Sequence, residues 1–194
     1  MKVQTWLANE LTFTSTKTYE NPFEDVSLDV CFTSGRKTLR IPAFWDGGST
    51  WRVRFALPSA GIWEYKADCD DPENKGFMGT GTIECEKYSG TLEIYKHGFI
   101  KAIPNVRYFV YDDGTPFFYL GDTHWNFAVE EFDEAGEFAG DIKTDSHFKY
   151  IVDKRTEQGF TVYQSEPIGA KYKIGSGVDE TDIKGFQDLD RRFA

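Results

Sequence analysis

The sequence predicts a mixed fold: an antiparallel β-sandwich in the first half and the start of an incomplete (β/α)8 TIM barrel in the second. Three observations predict it. Residues 3–88 alternate apolar and polar side chains in short runs, broken by turn signals about every 8–12 residues. Residues 107–111 (RYFVY) and 116–120 (PFFYL) flank Asp113-Gly114-Thr115, a hairpin signal. From Gly121 onward the order is strand end, loop, helix and strand, which is one βαβ unit and right-handed by default.

In the first half, Val26, Leu28, Val30 and Phe32 share one face of a strand, with Ser27, Asp29 and Cys31 on the other. Trp51, Val53, Phe55 and Leu57 repeat the pattern with Arg52 and Arg54 opposite, and Trp63, Tyr65 and Ala67 follow after the turn Pro58-Ser59-Ala60-Gly61. Ser34-Gly35, Asp46-Gly47-Gly48 and the loop through Asp70, Pro72 and Asn74 mark the other turns. Trp45, Trp51 and Trp63 with Arg52 and Arg54 can be read as a sugar platform. Strand phase favours Trp51 and Trp63 in the core, and the arginines on a solvated face where carboxylates pair with them. Trp45, beside a Gly-rich turn, suits either packing or stacking on a sugar ring.

Composition narrows the function classes. The chain has 194 residues, 16% aromatic side chains, 18 glycines and 2 methionines, a profile suited to β-rich, carbohydrate-facing proteins. A net charge of −10 disfavours nucleic acid and anionic membrane surfaces as partners. No secretory leader pattern and no long apolar run is visible, so no membrane partner and a cytoplasmic location are expected. Cys31, Cys69 and Cys85 read as reduced thiols, with a Cys69–Cys85 bridge as the competing reading. His97, His124 and His147 are scattered without metal-ligand spacing, so neither metal nor cofactor is expected.

The stretch FWDGGSTWRVRFALPSAGIWEY carries a resemblance. Phe44, Asp46, Gly47, Trp51, Val53, Arg54, Phe55, Pro58, Gly61, Trp63 and Tyr65 are similar to the pattern of an immunoglobulin-like domain that precedes the catalytic barrel in a group of bacterial glycoside hydrolases. The resemblance implies a non-catalytic accessory role for residues 1–88. Residues 89–105 then read as a linker, and residues 106–194 as the first βαβ portion of the barrel.

In that second part, residues 116–120 are apolar on both faces, as expected of a strand covered on both sides, and Gly121-Asp122-Thr123 ends it. An acidic loop follows. Thr144, Asp145 or Ser146 can cap a helix running to about Gln158, with Phe148, Ile151, Val152 and Arg155 at helical spacing and Gly159 as its stop. Residues 160–164 form the next strand, and Ile183, Phe186, Leu189 and Phe193 suggest a further helix. Tyr111-Asp112-Asp113-Gly114-Thr115-Pro116-Phe117-Phe118, Leu120-Gly121-Asp122-Thr123, Trp125 and Gln164 resemble the apiosidase-like catalytic domain of glycoside hydrolases.

Barrel active sites lie at the C-terminal ends of the strands. Those ends carry Asp122, Thr123, His124, Trp125 and Asn126, then Gln164, Ser165 and Glu166. The candidate substrate-binding residues are Asp122, Trp125, Gln164 and His124. Trp125 suits stacking on a sugar ring, Asp122 accepts hydrogen bonds, and Gln164 both donates and accepts. Plain alternatives compete: an Asx-turn for Asp122 and core packing for Trp125. Glu166 reads more readily as a solvated loop carboxylate than as a catalytic acid. No catalytic residue is assigned within this chain, because the resemblance implies a carboxylate pair on later strands, near the fourth and seventh. The expectation is the N-terminal part of a longer glycosidase with an oligo- or polysaccharide partner. A non-catalytic glycan-binding or oligomerisation module, the latter as a homo-oligomer, is the alternative.

Overall fold

The computed structural model describes residues 1–125, 136–138, 142–144, 146–165 and 187. The chain is β-rich, with several sheets and few helical segments among the described residues. It divides into two units, one of Met1–Ala102 with Val110–Thr115 and one of Ile103–Phe109 with Pro116–Ala194.

The first unit begins with β1 (Lys2–Gln4), β2 (Asn9–Thr14), β3 (Leu28–Ser34) and β4 (Lys37–Pro42). It continues with β5 (Phe44–Trp45), β6 (Thr50–Phe55), β7 (Gly61–Cys69) and β8 (Thr80–Glu86). One sheet has the order β1-β8-β7-β3-β4 and a second the order β2-β6-β5. Only the β1–β8 pairing among these is parallel. The predicted alternation is realised: Leu28, Val30 and Phe32 of β3, Trp51, Val53 and Phe55 of β6, and Trp63 and Ala67 of β7 are buried in a single cluster fed by both sheets. Each fully buried aliphatic or aromatic side chain contributes about 1.5–3 kcal/mol, so this cluster dominates the unit's stability.

Trp63 is completely buried, and its indole N–H donates to the Ser59 carbonyl at 2.9 Å, so its polar atom is satisfied inside the core. Trp45 is half-buried, donates to the Gly48 carbonyl at 3.0 Å and packs edge-on against Phe23. On the outer face, Glu10 joins Arg52 and Arg54, and Asp46 completes the group through Arg52. The arginines of β6 therefore pair with carboxylates, as strand phase predicts. Gly76 has a steric reason: a Cβ there would lie 1.8 Å from the Thr14 carbonyl oxygen.

The three cysteines are free thiols. Register explains why Cys69 and Cys85 cannot bridge. Cys85 sits opposite Gly61 at one end of β7, whereas Cys69 sits opposite Leu28 at the other. At about 3.3 Å per residue the two are roughly 26 Å apart along the strand. Burial pushes both thiols above the ordinary cysteine value, which makes them poor nucleophiles.

Residues 89–105, expected as a linker, hold α1 (Glu93–His97) and β9 (Ile100–Ala102). β9 neighbours β10 (Phe109–Tyr111) in a sheet. The turn after β10 is closed by the Tyr111 N–H donating to the Thr115 carbonyl at 2.8 Å. One helical turn is too short to stand alone, and α1 is tied down by a polar clamp. His97 Nδ1 lies 2.7 Å from Asp113 Oδ2, and its Nε2 lies 3.1 Å from Glu93 Oε2.

The second unit contains β11 (Pro116–Phe117), β12 (Gly121–Thr123), β13 (Gly136–Phe138) and β14 (Ile142–Thr144). Then come α2 (His147–Glu157) and β15 (Val162–Gln164). β12 and β15 are parallel with α2 between them in sequence, giving the expected βαβ order. Residues 116–120 differ from expectation. They are not one strand covered on both faces: Phe117 is buried, while Phe118 and Tyr119 are exposed. The parallel ladder starts later because the Leu120 carbonyl accepts from both Thr161 and Val162, so pairing begins at Gly121 where a strand end was expected. The predicted acidic loop contains the antiparallel pair β13–β14, in register Gly136 to Thr144. No closed barrel is present among the described residues, and no helix among them is long and apolar enough to cross a membrane. The helix expected around residues 183–193 lies outside the described residues, apart from Gln187, which is helical.

Two predictions follow from this packing. Trp63→Ala is expected to destabilise the protein by about 3–5 kcal/mol, read as a lower urea midpoint at unchanged slope. The His97 clamp is expected to be pH-dependent. The Asp113 carboxylate, then Glu93, raises the His97 value, and the His97 ring in turn lowers Asp113 to about 2. On the alkaline side, the clamp's contribution is complete below the ordinary histidine value and lost as pH rises through the raised one. On the acid side it is complete above the ordinary aspartate value and lost as pH falls through about 2. An NMR titration should show the His97 midpoint falling in Asp113→Asn.

Candidate functional site

The site region predicted from sequence is the end of the β12–α2–β15 unit. Ser146 caps α2, its hydroxyl accepting from the Lys149 N–H at 3.2 Å, and Gly159 follows the helix with φ +84°, a conformation that glycine adopts without steric cost. The helix turns Phe148, Ile151, Val152 and Arg155, all half-buried, toward the strands. Phe148 meets Tyr163 edge-on at 5.6 Å between ring centres, and Tyr163 stacks on His124 at 6.2 Å.

Arg155 organises this face. Its Nε pairs with Asp122 Oδ2, its Nη1 donates to Gln158 Oε1 at 2.7 Å, and its guanidinium lies 4.9 Å from the Phe160 ring centre. A cavity of about 200 Å³ lies beside it, lined by Asp122, Val152, Arg155, Phe160 and Tyr163 among others. A charge pair in such a half-buried place fixes the helix on the strand. Because both groups keep partial contact with solvent, its net worth stays near the surface-pair range, about 0.5–1 kcal/mol.

The four candidate residues fall into two sets. Asp122 contacts α2 through Arg155, and alternation puts His124 on the same face of β12. On β15, Gln164 follows Tyr163 and so points to the opposite face, beside Thr123 in the parallel register. Gln164 is exposed, and Trp125, just past the strand, is 64% exposed. The backbone links the sets, since the His124 N–H donates to the Gln164 carbonyl at 2.9 Å. The structure thus gathers all four at one end of the parallel pair, but not on one face. Asn126 and Glu166 lie outside the described residues.

Sequence reading did not single out Arg155 as a partner of Asp122, nor Thr123 as a neighbour of Gln164. A signal for the first was available: an arginine within an apolar helical stripe implies a carboxylate on the surface it covers.

Comparison with known proteins places these units in context. Residues 103–185 match the model of the apiosidase-like catalytic domain, and residues 2–70 match a domain of unknown function. Among solved structures, the chain is similar to a candidate glycoside hydrolase from Bacteroides vulgatus ATCC 8482, with 23% identity and a TM-score of 0.57. That likeness covers 98% of this chain and 38% of the other, so this chain spans under two fifths of that protein's length. No curated protein matches the chain.

Removing the Asp122–Arg155 pair is expected to loosen α2 from the strands. In Arg155→Met, amide hydrogen exchange at Thr161 and Val162 should accelerate about two- to fivefold, matching a loss of about 0.5–1 kcal/mol. Unchanged exchange would mean that the apolar contacts alone seat the helix. Residues 103–185 are thus similar to the apiosidase-like catalytic domain, and the chain shares its fold over nearly its whole length with part of that solved structure.

Proposed function

We propose that this chain is the N-terminal part of a glycoside hydrolase acting on O-glycosidic bonds of oligo- or polysaccharides. The observation that carries the reading is a coincidence of position. The match to the apiosidase-like catalytic domain spans residues 103–185, and within it lies the parallel β12–α2–β15 unit, the repeating element of a (β/α)8 barrel. On this reading residues 1–88 form an immunoglobulin-like accessory domain, and residues 106–194 open the barrel.

The ends of β12 and β15 then form one wall of a sugar pocket. Trp125 offers an exposed indole face to a pyranose ring, and Gln164 supplies both a donor and an acceptor to hydroxyls. Asp122 commits Oδ2 to Arg155, so a sugar contact from it uses Oδ1. His124, stacked on Tyr163, holds the strand end from which Trp125 projects.

Glycoside hydrolysis uses two carboxyl groups, about 5–5.5 Å apart for retention or roughly 6.5–9.5 Å for inversion. Asp122 already commits one carboxylate oxygen to Arg155, which seats α2. The pair is therefore proposed to sit on later strands outside this chain, a view supported by its coverage of only 38% of the similar structure.

The test compares this chain with a protein that contains the whole barrel, using aryl glycosides and oligosaccharides. Turnover is expected only from the whole barrel. There, Trp125→Ala should lower kcat/KM about tenfold or more, a loss of about 1.4 kcal/mol in transition-state binding. Turnover by this chain alone would sink the placement of the carboxylates, and an inert whole barrel would sink the enzyme reading.

A further inference from the structure

The first unit contains a cleft of about 760 Å³, within the size range of small-ligand sites. Its walls are aromatic, formed by Trp6, Tyr95 and Phe99. Leu39 and Ile41 of β4 are among the apolar residues beneath, and Lys37, Arg54 and Asp112 supply its charged groups.

The aromatic wall is held in place by unusual backbone. Trp6 has φ +67°, a left-handed conformation that costs a bulky residue energy, and it is kept there by its N–H donating to the Leu57 carbonyl at 3.0 Å. Gly98, at φ +85°, lies directly against the indole. A Cβ on it would sit 2.8 Å from Trp6 Cε2 and Cζ2, and 2.7 Å from Asp112 Cβ. The absent side chain is what lets the indole and Asp112 approach each other. Phe99 meets Trp6 edge-on at 5.2 Å and is still 56% exposed, so a large apolar ring stands at the cleft without protein cover.

The polar groups are placed differently from those of an ordinary solvated face. Arg54 is fixed by Glu10, and Asp112 by Lys101, so each presents its remaining hydrogen-bonding capacity from a set position. Lys37 pairs with no carboxylate among the described residues. Flat apolar faces beside fixed donors and an acceptor match a pyranose, which has a C–H face and a ring of hydroxyls.

We propose that this cleft binds an oligosaccharide, with one sugar packed on Trp6 and Phe99 and its hydroxyls bonded by Lys37, Arg54 and Asp112. The ligand class rests on the glycoside reading above; the location rests on the cleft's own geometry. It assigns substrate capture to the unit that carries no proposed catalytic role.

The experiment is calorimetric titration of the full chain with a neutral gluco-oligosaccharide and with a uronic acid oligomer. Binding of either is expected. Phe99→Ala, at an exposed position, should weaken it about tenfold or more. Gly98→Ala should do the same by displacing the indole, and Lys37→Ala should weaken the uronic acid oligomer most. Lys154→Ala, on α2 and paired with Glu157 outside the cleft, should leave binding unchanged. Absence of binding by both oligomers, or binding indifferent to Phe99→Ala and Gly98→Ala, overturns the proposal. Turnover by the whole barrel is read separately: activity without cleft binding sinks this inference alone, and cleft binding without activity sinks the enzyme reading alone.

Discussion

Every apolar sheet face must be covered, and the two units meet that requirement in different ways. In the first, two sheets cover each other, and Phe32, Trp51, Val53, Trp63 and Ile83 fill the space between them. Ion pairs such as Glu10 with Arg52 and Arg54 are then left to the outside, where they add little to stability. In the second, a two-stranded parallel pair has one helix against one face, through Phe148, Tyr163 and the Asp122–Arg155 pair. Parallel strands ordinarily occur with cover on both faces. The face that carries Gln164 has no such helix among the described residues.

The same requirement sorts the chemistry. Side chains that meet α2 are spoken for: Asp122 by Arg155, and Tyr163 by Phe148 and His124. Gln164, turned away from the helix, and Trp125, just past the strand, are exposed. In the first unit the aromatic groups of the cleft stand apart from the core tryptophans for a parallel reason. Trp51 and Trp63 lie in phase with strand neighbours and are buried, whereas Trp6 leaves the strand pattern through its left-handed backbone and remains half-buried at the surface.

Much of this was legible from residue order. Period-two alternation located β3, β6 and β7 and their inward tryptophans, because burial on one face leaves a clear imprint on composition. The cap candidates Thr144, Asp145 and Ser146, of which Ser146 caps α2, and the stop at Gly159 bounded the helix because caps are local chemistry. What escaped was non-local. The start of the parallel ladder at Gly121 depends on which carbonyl the distant Thr161 and Val162 find, and an apolar run such as PFFYL does not encode that. The distance between Cys69 and Cys85 depends on register across β7. Strands β13 and β14 lack alternation, and the cleft joins Trp6, Lys37, Phe99 and Asp112 from segments that nothing in the sequence links.

The parallel pairing of β1 with β8 also bears on how the first unit is made. Val3 of β1 pairs with Cys85 of β8, so β1 must wait during synthesis for nearly the last residues of the sandwich-like part. Until β8 arrives, β7 offers an unpaired edge and Val3 has no core to enter. Closing so long a loop is slow compared with forming a local hairpin. The growing chain therefore passes through a stage in which β3, β4 and β7 can pair while the sheet's last edge stays open to chaperones or to neighbouring nascent chains.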